Sequence, residues 1–355
     1  MEQVIHLKLT DGQHDLIISN PDIEPLGLDD LIAFEKESTL KFKVHGIATE
    51  GPPEFKGVRV TADYILNTSH TNKCFALVSS GWLPPVFAIK DAILLADRNV
   101  INYISARFES GVIKASANPQ ADFIDLIADT NYNAKISLAP FALEGNLKRR
   151  PSETEIIAQL EEAYRKVSSA LPKLEIIPIS PELVEGIMGV LGDSEDYFQR
   201  RSDFLLSSFH LLGNTAGKAR RIETWNKIAT LADRANLPRT DFIVIVALSS
   251  VTANGSCNPA RGILKPKPSY AITDTYNTLC DIQLLSMLMQ VLHGFPTQKT
   301  SLLTRDIPMA KLWAGISPVT TRKGKDLVEC SYNIHKALLP LDDWEKEEFS
   351  NLLVS

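Results

Sequence analysis

Four acidic residues stand where short elements end: Asp97, Glu144, Asp281 and Asp306. Asp97 closes the run Ala92-Ile-Leu-Leu-Ala-Asp and is followed by Arg-Asn. Asp306 closes Ser301-Leu-Leu-Thr-Arg-Asp and is followed by Ile-Pro-Met-Ala-Lys-Leu-Trp. Glu144 lies in Phe-Ala-Leu-Glu-Gly-Asn, and Asp281 in Tyr-Asn-Thr-Leu-Cys-Asp-Ile. Four carboxylates that converge repel one another unless a cation lies among them. Their hard oxygens suit Mg2+ or Mn2+. That donor set is the one a metal-dependent nuclease uses.

The elements around these acids decide whether they can meet. A brief Ile- and Leu-rich run, stopped by a polar residue and followed by a helical pattern, predicts a buried strand of a parallel sheet. Ligands of open α/β sheets bind beyond the carboxyl ends of such strands, where Asp97 and Asp306 would sit. An aspartate between strand and helix also serves as an N-cap, and Pro308 suits a helix start after Asp306. Asp281 leads the apolar stretch Ile-Gln-Leu-Leu-Ser-Met-Leu-Met, so it needs a partner near the sheet. Asp274, Asn277 and Asp281 share one helical face; Asp274 and Asn277, like Asn99 after Asp97, could extend a metal site, or Asp274 could cap the helix.

Other chemistries lack their residues. Position 99 is Asn99, where a haloacid-dehalogenase phosphatase needs a second aspartate two residues after the first. No phosphate-cradling Gly-rich loop, His-x-x-x-His pair or Gly-x-Ser-x-Gly elbow occurs. Cys74, Cys257, Cys280 and Cys330 form no Cys-x-x-Cys pair, which excludes a zinc knuckle or a redox pair of that spacing.

The chain has 355 residues, 44% hydrophobic and 23% charged, which predicts a soluble globular protein of two or three domains. Neither a signal peptide nor a spanning segment is visible, so the expected location is cytoplasmic, with no membrane partner. A net charge of −6 argues against a surface that grips nucleic acid everywhere, but the charge is segregated. Between Asn214 and Thr240 lie Lys218, Arg220, Arg221, Lys227, Arg234 and Arg239 against Glu223 and Asp233. Lys218, Arg220, Arg221 and Lys227 are the candidate nucleic-acid contacts, with a solvated helix surface as the plain alternative. The tail is acidic, with Asp342, Asp343, Glu345, Glu347 and Glu348.

Along the chain, residues 1–88 predict a small β-rich domain with turns at Asp11-Gly12, Asn20-Pro21 and Gly51-Pro-Pro. Residues 89–320 predict an α/β domain, with a helix over Pro119–Ala128 along Phe123, Leu126 and Ile127. Ser152-Glu-Thr-Glu155 predicts a capping box opening a long amphipathic helix. A helical insertion is expected at about 151–250, a mobile exposed loop over Asn254–Tyr270, and a C-terminal extension over 321–355.

In order and strand placement, Leu-Leu-Ala-Asp97, Phe-Ala-Leu-Glu144, Leu-Cys-Asp281 and Thr304-Arg-Asp306 resemble a PIN-like domain nuclease over about residues 89–316. The resemblance implies a parallel sheet flanked by helices. It gives Asp97, Glu144, Asp281 and Asp306 the role of metal-binding catalytic acids, and Thr304 that of the motif threonine. The interval from Glu144 to Asp281 is longer than in compact members, so Asp241 and Asp274 are alternative third acids. The metal would lower the pKa of a bound water and orient it for in-line attack on phosphorus. The resemblance further implies an endoribonuclease of toxin or defence type, with RNA favoured over DNA, and leaves self-association or a regulatory partner open. The competing readings are a silent interaction module, in which Arg98 or Arg305 fills the metal site, and a small-molecule phosphohydrolase.

Overall fold

The computed structural model describes residues 4–8, 15–36, 39–67, 69–71, 73–128, 133–253, 258–323 and 327–354. The Asp11-Gly12 turn and Cys257 lie outside the described residues.

Strands β1 (Val4–Lys8), β2 (Asp15–Ile23), β3 (Thr39–Glu50) and β4 (Arg59–Asn67) form an antiparallel sheet in that order. In β3, Leu40, Phe42 and Val44 are buried between exposed Lys41 and Lys43, the alternation of a sheet with one covered face. Helix α1 (Leu28–Phe34) packs against β3.

The central sheet draws on β5 (Phe75–Val78), β6 (Gly81–Leu83), β7 (Ile93–Ala96), β10 (Lys135–Ser137), β11 (Glu175–Ile176) and β12 (Thr300–Thr304). Between these strands lie α2 (Pro85–Ala88), α3 (Arg98–Arg107), the small hairpin β8 (Phe108–Glu109) with β9 (Val112–Ile113), α4 (Asp125–Ala128), α5 (Ala139–Glu144) and α6 (Glu153–Ala170). The sheet order is β11-β10-β7-β12-β5-β6. The first four strands are parallel, whereas β5 runs antiparallel to β12 and to β6. The expectation of a purely parallel sheet is thus corrected at one edge. There β5 and β6 turn directly into each other, a connection that only antiparallel strands allow. Both fall within the stretch read as the N-terminal domain, yet they complete the central sheet.

Helix α6 opens at the expected capping box, Ser152 Oγ accepting from Glu155 N and Glu155 from Ser152 N. It packs on α3 and α5 and leads into β11, so it is a crossover helix of the sheet. The long connection to β12 holds α7 (Pro181–Asp193), α8 (Glu195–Leu212), α9 (Lys218–Arg234), α10 (Phe242–Thr252), α11 (Pro259–Leu264) and α12 (Ile272–Gly294). Every residue of α10 is buried, and α8, α9 and α11 pack around it. After β12 come α13 (Ile307–Gly315), the hairpin β13 (Ile316–Lys323) with β14 (Leu327–Ile334), and α14 (Asp343–Val354). Among the described residues no helix is long and apolar enough to cross a membrane.

Two local expectations are corrected. Pro119–Ala128 yields only the single turn of α4, and Leu126 is exposed. Asn118 Oδ1 captures the N–H of Gln120, and Asp122 Oδ1 that of Ile124, so side chains take donors a helix would need. The expected loop over Asn254–Tyr270 contains α11. Asn258 caps it by accepting from Arg261 N, Pro259 fits its first turn, and Ala260, Ile263 and Leu264 are buried.

The basic segment is largely neutralised by acids. Lys218 pairs with Asp342 at 2.5 Å, Lys227 with Glu223 at 2.7 Å and Arg239 with Asp233 at 2.7 Å. Arg221 is buried against Glu345 of α14 at 2.8 Å, so it is not the nucleic-acid contact the sequence suggested but the tie that docks the C-terminal helix. Removing one partner leaves the other charge buried and unpaired. Arg221→Ala should therefore lower stability by about 3–5 kcal/mol, read from the denaturant midpoint. A loss below about 1 kcal/mol would mean that Glu345 is solvated after all.

Candidate active site

The sheet order reverses at β7. From β7 the chain proceeds to β10 and β11 on one side, while β12 lies on the other, and at such a switch point open sheets bind ligands in the crevice beyond the strands' carboxyl ends. Strands β7 and β12 are parallel neighbours, with Leu95 opposite Leu302 and Ala96 opposite Leu303. Asp97 and Asp306 therefore emerge side by side at the crevice, one residue beyond β7 and two beyond β12.

Both aspartates cap the helix that follows. Asp97 Oδ1 accepts from Val100 N at 2.7 Å, and Asp306 Oδ1 accepts from Met309 N at 2.8 Å. Thr304 links them: its hydroxyl donates to Asp97 Oδ2 at 2.6 Å and accepts from Asp306 N at 3.0 Å. Capping occupies one lone pair, and a carboxylate has about four. The capping and functional readings are therefore compatible.

Glu144 ends α5, which stops at Gly145 with φ +67°, a conformation glycine adopts without strain. Arg98 Nε lies 3.7 Å from Glu144 Oε2. The same guanidinium stacks 3.9 Å over the Phe141 ring and donates to the Phe141 carbonyl and to the Asn146 and Gln159 side chains. Arg98 thus ties the end of β7 to α5 and α6 and fixes Glu144. Asp281 approaches from α12, which packs on α5 and β12. Its side chain is 17% exposed, but Oδ2 is sealed from solvent and has no hydrogen-bond partner; Lys265 Nζ is 3.6 Å away. Lys265 closes α11 in a left-handed conformation. Helix α11 also abuts the start of α13: a Cβ on Gly262 would lie 2.5 Å from Pro308 Cγ, so glycine permits this approach beside Asp306.

These carboxylates share one electrostatic field. Burial pushes Asp97 up to about 7, against hydrogen bonds from Thr304 and Val100, and the charges of Glu144 and Asp306 push it further. Burial likewise pushes Asp281 up to about 8; Lys265 opposes, while Asp306, Glu144 and Asp97 add to the rise. Glu144 is raised by burial against Arg98 and Lys265. Yet among the described residues no three His, Cys, Asp or Glu side chains are gathered tightly enough to enclose an ion. The donors still fit a hard cation. All are oxygens, Asp281 Oδ2 is a buried acceptor with nothing to accept from, and Mg2+ binds through one or two carboxylates while retaining waters.

The remaining sequence candidates lie elsewhere or have other roles. Asn99 and Asn277 are exposed. Asp274 accepts from Ala271 N at 2.8 Å and pairs with Lys267 at 2.9 Å, the arrangement of a cap. Asp241 caps α10 and is held by Arg201 at 3.0 Å. Asp281, by contrast, carries the field of Asp306, Glu144 and Asp97. Lys218 and Lys227 are exposed in their ion pairs, and Arg220 is exposed on α9. An open groove of about 500 Å3 lined by His210, Glu223, Lys227 and Arg234 lies on α8 and α9 and includes none of the four candidate site acids. Sequence reading missed Lys265, which sits in the stretch taken as a loop; the Asn-Pro start of α11 was the available signal. Comparison with known proteins finds no family model, curated protein or solved structure that matches this chain.

Proposed function

We propose that this protein is a divalent-metal-dependent nuclease of the PIN-like type, acting on single-stranded or structured RNA. The carrying observation is the pairing of Asp97 and Asp306 at a switch point, joined by Thr304 and repelled by Glu144 and Asp281. The four parallel strands, numbered in chain order, run third-second-first-fourth across the sheet, the reversal of order beside which open sheets bind ligands. Asp97, Glu144, Asp281 and Asp306 would line the site of Mg2+ or Mn2+, one or two of them binding the ion directly and the others through its waters. The ion would supply a water of lowered pKa and offset charge developing on phosphorus. Thr304 orients Asp97, and Arg98 keeps Glu144 turned to the crevice.

The test is cleavage of labelled single-stranded RNA with Mn2+ and with EDTA, beside thermal melting. Mn2+ should support cleavage and raise the melting temperature by mass action, and Asp97→Asn should blunt that rise. Chelator-resistant cleavage, or an equal metal response in both proteins, would defeat the reading.

A second reading rests on Lys265 beside Asp281. If its ammonium substitutes for a metal, the protein is a catalytically silent module on the same framework. Wild type would then show no melting response to Mn2+, and Lys265→Ala would acquire one. The 57% exposure of the Lys265 side chain favours the enzyme, since the lysine can swing into water when a cation enters.

A further inference from the structure

Arg305 stands between Thr304 and Asp306, yet its side chain does not turn into the carboxylates. Its guanidinium lies 3.9 Å from the centre of the Tyr103 ring, and Nε donates to the Lys73 carbonyl at 3.2 Å. Arg98, Arg107, Arg149 and Arg150 each pair with a carboxylate. Arg305 is exposed and, among the described residues, has no carboxylate within ion-pair distance.

Its supports are themselves fixed. Lys73 N donates to Asp122 Oδ2 at 2.7 Å, and that carboxylate, 1% exposed, also accepts from the Thr71 hydroxyl and Ile124 N. Tyr103 projects from α3, the helix that Asp97 caps. Arg107 of the same helix is locked to Asp125 and to the carbonyls of Asn118 and Gln120. A guanidinium held by a ring on one face and a carbonyl at Nε keeps its terminal N–H groups for another acceptor. Such preorganisation reduces the ordering cost of binding. Oxygen anions that accept parallel N–H bonds are carboxylates and phosphates, and on the nuclease reading the anion delivered beside these acids is a backbone phosphate.

We propose that Arg305, clamped between Tyr103 and the Lys73 carbonyl, is a phosphate anchor that holds the backbone of a single-stranded polynucleotide beside the acidic crevice. This rests on the nuclease reading and specifies how the strand is gripped. The interaction is with phosphate, so it adds affinity and register without base preference.

The experiment is fluorescence anisotropy of a labelled single-stranded RNA 12-mer in EDTA, titrated with the full chain at several salt concentrations. Arg305→Ala should weaken binding about tenfold at low salt and flatten the log–log salt slope by about 0.7. Arg305→Lys should keep most of the slope while losing part of the affinity, since charge remains without the fork. Tyr103→Phe, which keeps the ring, should bind like wild type, and Tyr103→Ala should weaken binding. An Arg305→Ala protein that melts like wild type and keeps its affinity and salt slope overturns the anchor while RNA binding itself persists. A wild type that binds no RNA under any of these conditions overturns the anchor together with the nuclease reading beneath it.

Discussion

Asp306→Asn is expected to depress RNA cleavage by orders of magnitude while the fold survives. Asp306 uses Oδ1 to cap α13 through Met309 N, and asparagine caps helices as well as aspartate does. Its backbone N–H still donates to Thr304. On the nuclease reading, what disappears is one unit of ligand charge, on which metal affinity and water activation would depend. Asp274→Asn is the control. Its carboxylate caps α12 and pairs with Lys267 at the surface, so the variant should keep most of its activity with at most a small loss of stability. The comparison is made with Mg2+, Mn2+ and EDTA in parallel. Full activity in Asp306→Asn would remove the mechanism, and an inactive Asp274→Asn beside an active Asp281→Asn would move the third acid.

Strands whose type follows from local pattern were legible from sequence, as at β7 and β12. Each is a short buried run stopped by a polar residue, and β12 is buried throughout. The capping box of α6 was equally local. What could not be read was partner choice. Nothing in Phe75–Val78 indicates that it lies antiparallel to a strand more than 200 residues later. Asp122 and Asn118 converted an expected helix into turns through side-chain hydrogen bonds that periodicity does not register. Charge counting found the basic segment but not its acids, because Asp342 and Glu345 reach it from the far end of the chain. At the site, the element ends at Asp97, Glu144, Thr304 and Asp306 were legible, but Asp281, read as another end, lies inside the long helix α12, where only packing decides which way it faces. The cations that manage them, Arg98 turned onto Phe141 and Lys265 closing α11, depend on tertiary packing.

Asp281→Asn should stabilise the metal-free protein at pH 8 while removing its response to metal. In the unfolded chain this carboxyl ionises near the ordinary value of 3.8, whereas in the fold burial holds its proton until about 8. Between those values the folded state binds more protons than the unfolded state, so stability falls as pH rises through the window and levels off above it. Asp97, pushed up to about 7, acts in the same direction. For Asp281 the effect is on the order of several kcal/mol, lessened by the water that reaches its partly exposed side chain. Asparagine keeps the volume and carries no charge to desolvate, so the difference in melting temperature between variant and wild type should grow from pH 4 to pH 8. On the nuclease reading, a divalent cation would replace the missing proton as the positive partner. Saturating Mn2+ should accordingly restore wild-type stability at pH 8 and leave Asp281→Asn nearly unchanged. Parallel pH profiles for the two proteins would mean that Asp281 is solvated and charged in the fold. A stability difference that Mn2+ fails to close would separate a buried acid that merely strains the fold from one placed there to bind a cation.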